Sequence, residues 1–477
     1  MTFEEIINTI SEQQMINLIH PANEQIDTNL HTKEMSKEEQ RLNLAFYAKA
    51  AREHIGWDGF SENNQQAFMQ NIEQLYNNIT APRQQYDFMK EVFDHTGQYI
   101  EDRHFTLDCG KNKYHTGGGN KESRTVGRNF AKLKDKPFGY QCLGGEYKKD
   151  KQGNDILNED GTRCPIWEIG TMKAPNNEDI LVVSIPDFDN RKGTYESWDK
   201  FIETFDDIYL NNKEKWENGR IILDVRNNRG GEDKPIDHIA KRLYGNLINT
   251  YKRCEMRDTA LSNAILHTHG AYKPENLAKD NITPINRSHF SGKNQPLFDE
   301  TTTYYPFNPE KGFNGRLDIL LDRDVGSSAE SAYTSFYHHP NTRYIGENTA
   351  GMQQYTQGTF AMPCGYNMRV GVTKLTYYDK EGENIEIKGH KPDINCSGHK
   401  FDAMGIALGI PRDEGRVSTR ETNEPIHGKK EIAEYDPHIN IDTRKAYYAK
   451  YLEQGLKQIE TQNTLIQNNR ITHHQGR

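Results

Sequence analysis

Two short segments carry residue types that can do chemistry. The first, Gly326-Ser327-Ser328-Ala329-Glu330, follows the apolar run 317–321 and opens a helical stretch. A serine placed where a buried strand gives way to a helix sits at the carboxyl end of a sheet, with the following backbone amides pointing into the same space. Its hydroxyl can attack a carbonyl while those amides hold the developing oxyanion. Serine also caps helices, so this segment alone leaves both roles open. The second, Asp224-Val225-Arg226-Asn227-Asn228-Arg229-Gly230-Gly231, again trails an apolar run. Paired glycines there let backbone N–H groups come close to a ligand. The spacing fits neither a Walker loop nor a dinucleotide fingerprint, which disfavours phosphate binding. An ordinary strand-to-loop turn is the alternative. No His, Asp or Glu grouping has metal-ligand spacing such as HExxH, so neither a metal nor a cofactor is expected.

The elements that must position these segments are legible in outline. The run 180–185, closed by Pro186, and the runs 220–225 and 317–321 have the continuous apolar character of strands buried on both faces. A helix over 195–211 separates the first two, an amphipathic helix spans 235–251, and a third helix over 330–338 follows Ser327. This alternation predicts an α/β core with a substantially parallel sheet. The core occupies 179–400 and carries an insertion at about 232–315. Residues 1–100 read as an N-terminal helical domain. Ile6, Ile7, Ile10, Met15 and Leu18 recur at helical spacing; Leu42, Leu44, Ala45, Tyr47 and Ala48 do so after Ser36-Lys37-Glu38-Glu39, which resembles a capping box. Further helices are expected over 65–76 and 86–100. Residues 101–178 suggest a small β-rich subdomain with loops, including Gly117-Gly118-Gly119, and 401–477 a C-terminal extension ending in a helix over 444–467.

Composition narrows the function classes. A chain of 477 residues exceeds one hydrophobic core, so two or three domains are expected. The hydrophobic share is low at 34%, but 25 Tyr and 19 Phe supply core volume. Net charge is -9 with scattered Lys and Arg, which argues against nucleic acid as a partner. No run approaches a membrane span. Met1-Thr2-Phe3-Glu4-Glu5-Ile6-Ile7 has early acids and no apolar core of a secretory signal, so a cytoplasmic location is expected. Cys109, Cys142, Cys164, Cys254, Cys364 and Cys396 form no CxxC pair, which fits free thiols in a reducing compartment.

Taken together, the two chemical segments resemble the S41 peptidases, the tail-specific and tricorn-core serine peptidases. Two more segments follow in family order. Gly346-Glu347-Asn348-Thr349-Ala350-Gly351 resembles the family's Gly-Glu-x-Thr-x-Gly loop, and Glu386-Ile387-Lys388-Gly389-His390-Lys391-Pro392-Asp393-Ile394 resembles its closing motif. The resemblance covers about 85–400. It implies a ClpP/crotonase-like mixed α/β fold, a peptide or protein substrate, and Ser327, three residues before Glu330, as nucleophile. It further implies an oxyanion hole from the backbone of Gly230, Gly231 and Ser328. One branch of the family uses a Lys just after the Gly-Glu-x-Thr-x-Gly loop; Met352 stands there, which excludes a Ser-Lys dyad at that site. The other branch uses a His in an Asp-Gly-His-Thr-like segment. Asp102-Arg103-His104-Phe105-Thr106 matches it, which implies His104 as general base with Glu386 orienting it. His115, His338 and His339 are the competing histidines. Arg103 and Arg229 depart from the family pattern, each replacing a small residue. Residues 108–175 lack a Gly-Leu-Gly-Phe-like loop and read as a β subdomain rather than a PDZ domain.

Two other classes stay in view. A non-catalytic ligand- or peptide-binding module on the same fold fits if His104 is remote from Ser327. Acyl-CoA chemistry on the related crotonase fold lacks a visible clamp for the CoA phosphates.

Overall fold

The three apolar runs lie side by side in one sheet. The structure is a computed structural model and describes residues 2–23, 25–110, 113–115, 140–150, 152–158, 161–174, 176–188, 195–245, 253–268, 290–297, 307–308, 310–337, 339–376, 389–395 and 400–408. The 7-stranded sheet contains β1 (Gln141–Tyr147), β2 (Pro165–Lys173), β3 (Asp179–Ser184), β4 (Arg220–Asp224), β5 (Arg316–Leu321), β6 (Thr342–Gly346) and β7 (Ile394–Asn395). Spatial order equals chain order. From β3 to β7 every pair is parallel, with Leu181 opposite Ile221 and Ile221 opposite Leu317. β1 and β2 add an antiparallel edge.

The continuous apolar runs follow from burial on both faces. Leu181, Val183, Ile221, Leu223, Ile319 and Leu321 pack in one core with Trp198, Phe201 and Phe205 of α1 (Tyr195–Leu210) and Ile236, Ile239 and Leu243 of α2 (Lys234–Tyr244). Ile180, Val182, Ile222, Leu320 and Ile345 join a second core with Ala403, Met404 and Ala407 of the helix Lys400–Leu408. Each fully buried Leu, Ile or Val contributes roughly 1.5–3 kcal/mol relative to exposure. The helix expected over 235–251 stops at Tyr244. The one expected over 330–338 is shorter: a 3-10 turn, Ser327–Glu330, followed by Ser331–Thr334. The helix expected over 444–467 lies outside the described residues.

The chain forms two compact units. The first comprises Arg124–Thr250, Thr303–Ala350 and Lys388–Arg477 and holds this sheet; the second comprises Met1–Ser123, Tyr251–Thr302 and Gly351–Ile387. The second unit contains the expected helices, Phe3–Ile7, Glu12–Leu18, Lys37–Arg52, Glu62–Asn77 and Gln85–Thr96, and the Ser36/Glu39 capping box closes reciprocally. It also contains an antiparallel sheet absent from the sequence reading, built on the hairpin Tyr355–Ala361 and Asn367–Thr376 with Arg253–Arg257 and Thr106–Asp108 alongside. The stretch 101–178 therefore divides: Thr106–Asp108 joins this second sheet, whereas β1 and β2 join the first. Phe46, Phe68, Phe88, Val92 and Phe105 pack with Met368, Val370 and Val372 in the unit's core. Among the described residues no helix is long and apolar enough to cross a membrane, and the five described cysteines are free.

Candidate active site

β4 and β5 are parallel neighbours, so the segments that follow them leave the same edge of the sheet together. The turn after β4 is built by its own polar side chains. Buried Asp224 takes a two-pronged pair from Arg226, 2.9 Å from Nε and 2.8 Å from Nη2. Two paired buried charges satisfy each other, so they shape the turn rather than face a substrate. Asn228 ties three strand ends together. Its Nδ2 donates to Ile185 O at 2.9 Å, its Oδ1 accepts the Gly230 N–H at 2.9 Å, and its carbonyl accepts the Gly326 N–H at 3.1 Å. Arg229, the residue that departs from the family pattern, is exposed and lies 3.6 Å from Asp324.

Gly230 is pressed against the next turn. A Cβ there would lie 2.6 Å from Ser327 Cβ and 2.9 Å from Ser328 N, and its φ is +94°. Only glycine allows that approach without strain.

Ser327 itself has φ +54°. The other described non-glycine residues with positive φ are Asn177 and Asn227, a residue type that tolerates the left-handed region. For serine the same conformation costs on the order of 1 kcal/mol. The capping role does not apply: Gly326 occupies the cap position and no side chain caps the turn. Among the described residues the Ser327 hydroxyl has no hydrogen-bond partner. Its neighbours are engaged. Ser328 Oγ donates to Gly231 O at 2.9 Å and Ser331 Oγ to Asp233 Oδ1 at 2.7 Å, which clasp the two turns. The Gly230 N–H is taken by Asn228. Among the described residues the N–H groups of Gly231 and Ser328 have no acceptor, so these two remain available to an oxyanion.

The later motifs brace this turn. Fully buried Glu330 accepts from Thr349 Oγ1, which in turn accepts the His390 N–H at 2.7 Å, while Thr349 N–H donates to His390 O at 3.1 Å. Tyr333 stacks between Tyr344 and His390, with ring centroids at 4.2 and 4.3 Å. The spacing of Glu330 from Ser327 is thus a bracing requirement.

His104 belongs to the second unit. Asp102 Oδ1 accepts the His104 N–H at 2.7 Å and Asp102 O accepts the Phe105 N–H at 3.2 Å, so residues 102–105 form a tight turn. Thr106 Oγ1 donates back to His104 O at 2.7 Å, at the start of the strand Thr106–Asp108. The buried His104 ring has Nδ1 3.7 Å from Asp102 Oδ1, within ion-pair range and beyond a hydrogen bond. The other Asp102 oxygen accepts from His54 Nε2 at 2.9 Å. Burial alone would raise the Asp102 pKa, but the two histidines outweigh it and hold the carboxyl well below the usual range. His54 was invisible to sequence reasoning, since it lies 48 residues from Asp102 with no motif around it.

The other candidates separate clearly. His339 is a core histidine: Nε2 donates to Phe313 O at 3.0 Å, and Tyr244, Phe307 and Phe313 surround the ring. Burial pushes its pKa down to about 3. His338 and Glu386 lie outside the described residues, and His115 ends the strand Lys113–His115, opposite Thr106. Among the described residues no three His, Cys, Asp or Glu side chains gather to hold a metal ion.

Residues 179–396 match the model of peptidase family S41. No curated protein matches the chain. Among solved structures, the chain is similar to a candidate peptidase from Parabacteroides merdae at 15% identity, over 78% of this chain and 92% of that one, with a TM-score of 0.44. It is similar to a lipoprotein from Streptococcus agalactiae at 16% identity, over 79% and 97%, with a TM-score of 0.37. For a photosystem II D1 C-terminal processing protease the values are 13%, 80% and 98%, with a TM-score of 0.36.

Proposed function

Residues 179–396 belong to peptidase family S41, a family of serine-type peptidases, and from that premise we propose that the chain cleaves peptide bonds through an acyl-enzyme on Ser327. One observation carries the reading: a serine in a strained left-handed conformation, on a turn where, among the described residues, its hydroxyl has no partner and two amides have no acceptor. Strain of this kind persists where the surrounding structure enforces it, and the clasp from Gly230, Gly231 and Thr349 supplies that enforcement.

In the proposed reaction His104 accepts the Ser327 hydroxyl proton as Oγ attacks the carbonyl carbon of a peptide substrate. The carbonyl π electrons move to oxygen, and the N–H groups of Gly231 and Ser328 stabilise that oxyanion. Gly230 contributes close packing, since its own N–H is engaged by Asn228. Collapse breaks the C–N bond, and the imidazolium gives its proton to the leaving amine. Water, deprotonated by the same His104, then hydrolyses the acyl-enzyme and regenerates Ser327. Glu386, which the resemblance implies as an orienting carboxylate, lies outside the described residues.

A fluorophosphonate probe tests the reading. Wild type is expected to label, Ser327→Ala to lose labelling completely, and His104→Ala to label at least ~100-fold more slowly. Labelling that survives Ser327→Ala removes Ser327 as nucleophile. Full-speed labelling of His104→Ala assigns the base elsewhere.

A further inference from the structure

We propose that Asp102, anchored by His54, is the carboxylate that positions the His104 imidazole, an inference that rests on His104 being the general base. The anchoring is geometric. His54 follows the helix Lys37–Arg52 and is fully buried. Its Nδ1 accepts the Gly56 N–H at 3.0 Å, so the neutral ring must carry its proton on Nε2, the atom that donates to Asp102 Oδ2 at 2.9 Å. Tyr355 and Phe60 wall the ring, with centroids 4.8 and 5.0 Å away. Gly371 runs close to the pair and must stay a glycine: a Cβ there would lie 2.6 Å from His54 Nε2 and 3.0 Å from Asp102 Oδ2.

With Oδ2 so fixed, Oδ1 is held on the backbone N–H of His104 and 3.7 Å from the Nδ1 of the same residue. That Nδ1 is buried and has no hydrogen-bond partner among the described residues. A carboxylate at this place favours the tautomer with its proton on Nδ1, which leaves Nε2 with the lone pair that a general base needs. It also stabilises the imidazolium formed when Nε2 takes a proton. Asp102 is therefore a positioning residue. His54 positions it in turn.

A purely structural role must be separated from this one. Asp102→Asn sets two donors, His54 Nε2–H and the His104 N–H, against a single acceptor and will weaken the turn for that reason alone. The double variant His54→Gln with Asp102→Asn restores neutral pairing, since a Gln oxygen can accept from the Asn amide while the Asn oxygen keeps the His104 N–H. With a chromogenic peptide substrate, the double variant is expected to recover thermal stability relative to Asp102→Asn, yet keep kcat ~100-fold or more below wild type with KM within about threefold. Recovery of kcat together with stability would show Asp102 to be structural and overturn the proposal.

A second measurement does not depend on turnover. In Ser327→Ala protein labelled with 15N-histidine, the neutral His104 ring is expected as the Nδ1–H tautomer, shifting toward Nε2–H on Asp102→Asn. An Nε2–H ring in the parent overturns the proposal even if peptidase activity is confirmed. An Nδ1–H ring that shifts on Asp102→Asn sustains the positioning role even if the probe shows another base acting on Ser327.

Discussion

At the Ser327 turn the backbone is strained and the hydroxyl stands without a partner among the described residues, while at Asp102 both carboxylate oxygens are taken, by His54 and by the His104 backbone. The contrast follows from charge and solvent. A neutral, half-buried hydroxyl can be left unpaired because water reaches it at little cost. A fully buried carboxylate left unpaired would cost several kcal/mol or take up a proton. A polar group can therefore be left free only where it is neutral and wet, and a buried charged group has to be pinned. In the first turn rigidity comes from the close backbone packing at Gly230, with the Ser328 hydroxyl clasping Gly231 O; in the second it comes from the Asp102 carboxylate and its His54 partner.

Three substitutions press on that difference. The largest effect is expected for Gly230→Ala, where the new methyl meets Ser327 Cβ and Ser328 N and the backbone must hold φ +94°. Urea denaturation should show a loss of roughly 3 kcal/mol or more; a change within the error of the method would mean the first turn is not rigid through its backbone. Next comes Asp102→Asn, expected to cost about 2 kcal/mol at pH 7 from a weakened hydrogen bond to a charged group. Its folded pKa is depressed below the ordinary 3.8, so the stability it lends is complete above that value and fades as pH falls through the folded pKa. The gap between wild type and Asp102→Asn should thus narrow below about pH 4. A gap constant from pH 7 to pH 3 would mean that packing, not charge, holds the second turn. The smallest effect is a gain. Ser327→Gly removes the left-handed strain and should stabilise the first unit by up to ~1 kcal/mol in thermal melts while abolishing probe labelling. No gain would remove strain from the account of Ser327.

The strands that carry the Ser327 turn were legible because burial on both faces forces continuous apolar runs at 180–184, 220–224 and 316–321. The second sheet was not. Tyr355–Ala361 and Asn367–Thr376 mix Gly, Gln and Thr among their apolar residues, and their partners lie as far off as Thr106–Asp108 and Arg253–Arg257. No local period announces such pairings. At the site, Ser327 and its companion motifs were legible as spacing, yet the reason for Glu330 appeared only with Thr349 and His390 in place. The Gly230 amide was expected to face an oxyanion; it donates instead to Asn228 Oδ1, a short-range contact that the spacing did not specify. His54 left no signal because a buried hydrogen bond between distant residues imposes no periodicity on either.

The interleaving of the two units has a practical consequence for dissecting the molecule. The chain crosses from one unit to the other at Ser123–Arg124, Thr250–Tyr251, Thr302–Thr303, Ala350–Gly351 and Ile387–Lys388. Each unit is woven from three separate stretches, so no single cut of the gene yields either one whole. A fragment ending at residue 350 would leave the Ser327 unit without β7 and without the His390 clasp on Thr349, and the His104 unit without its central hairpin. A substitution in either unit therefore acts in a polypeptide that must fold both.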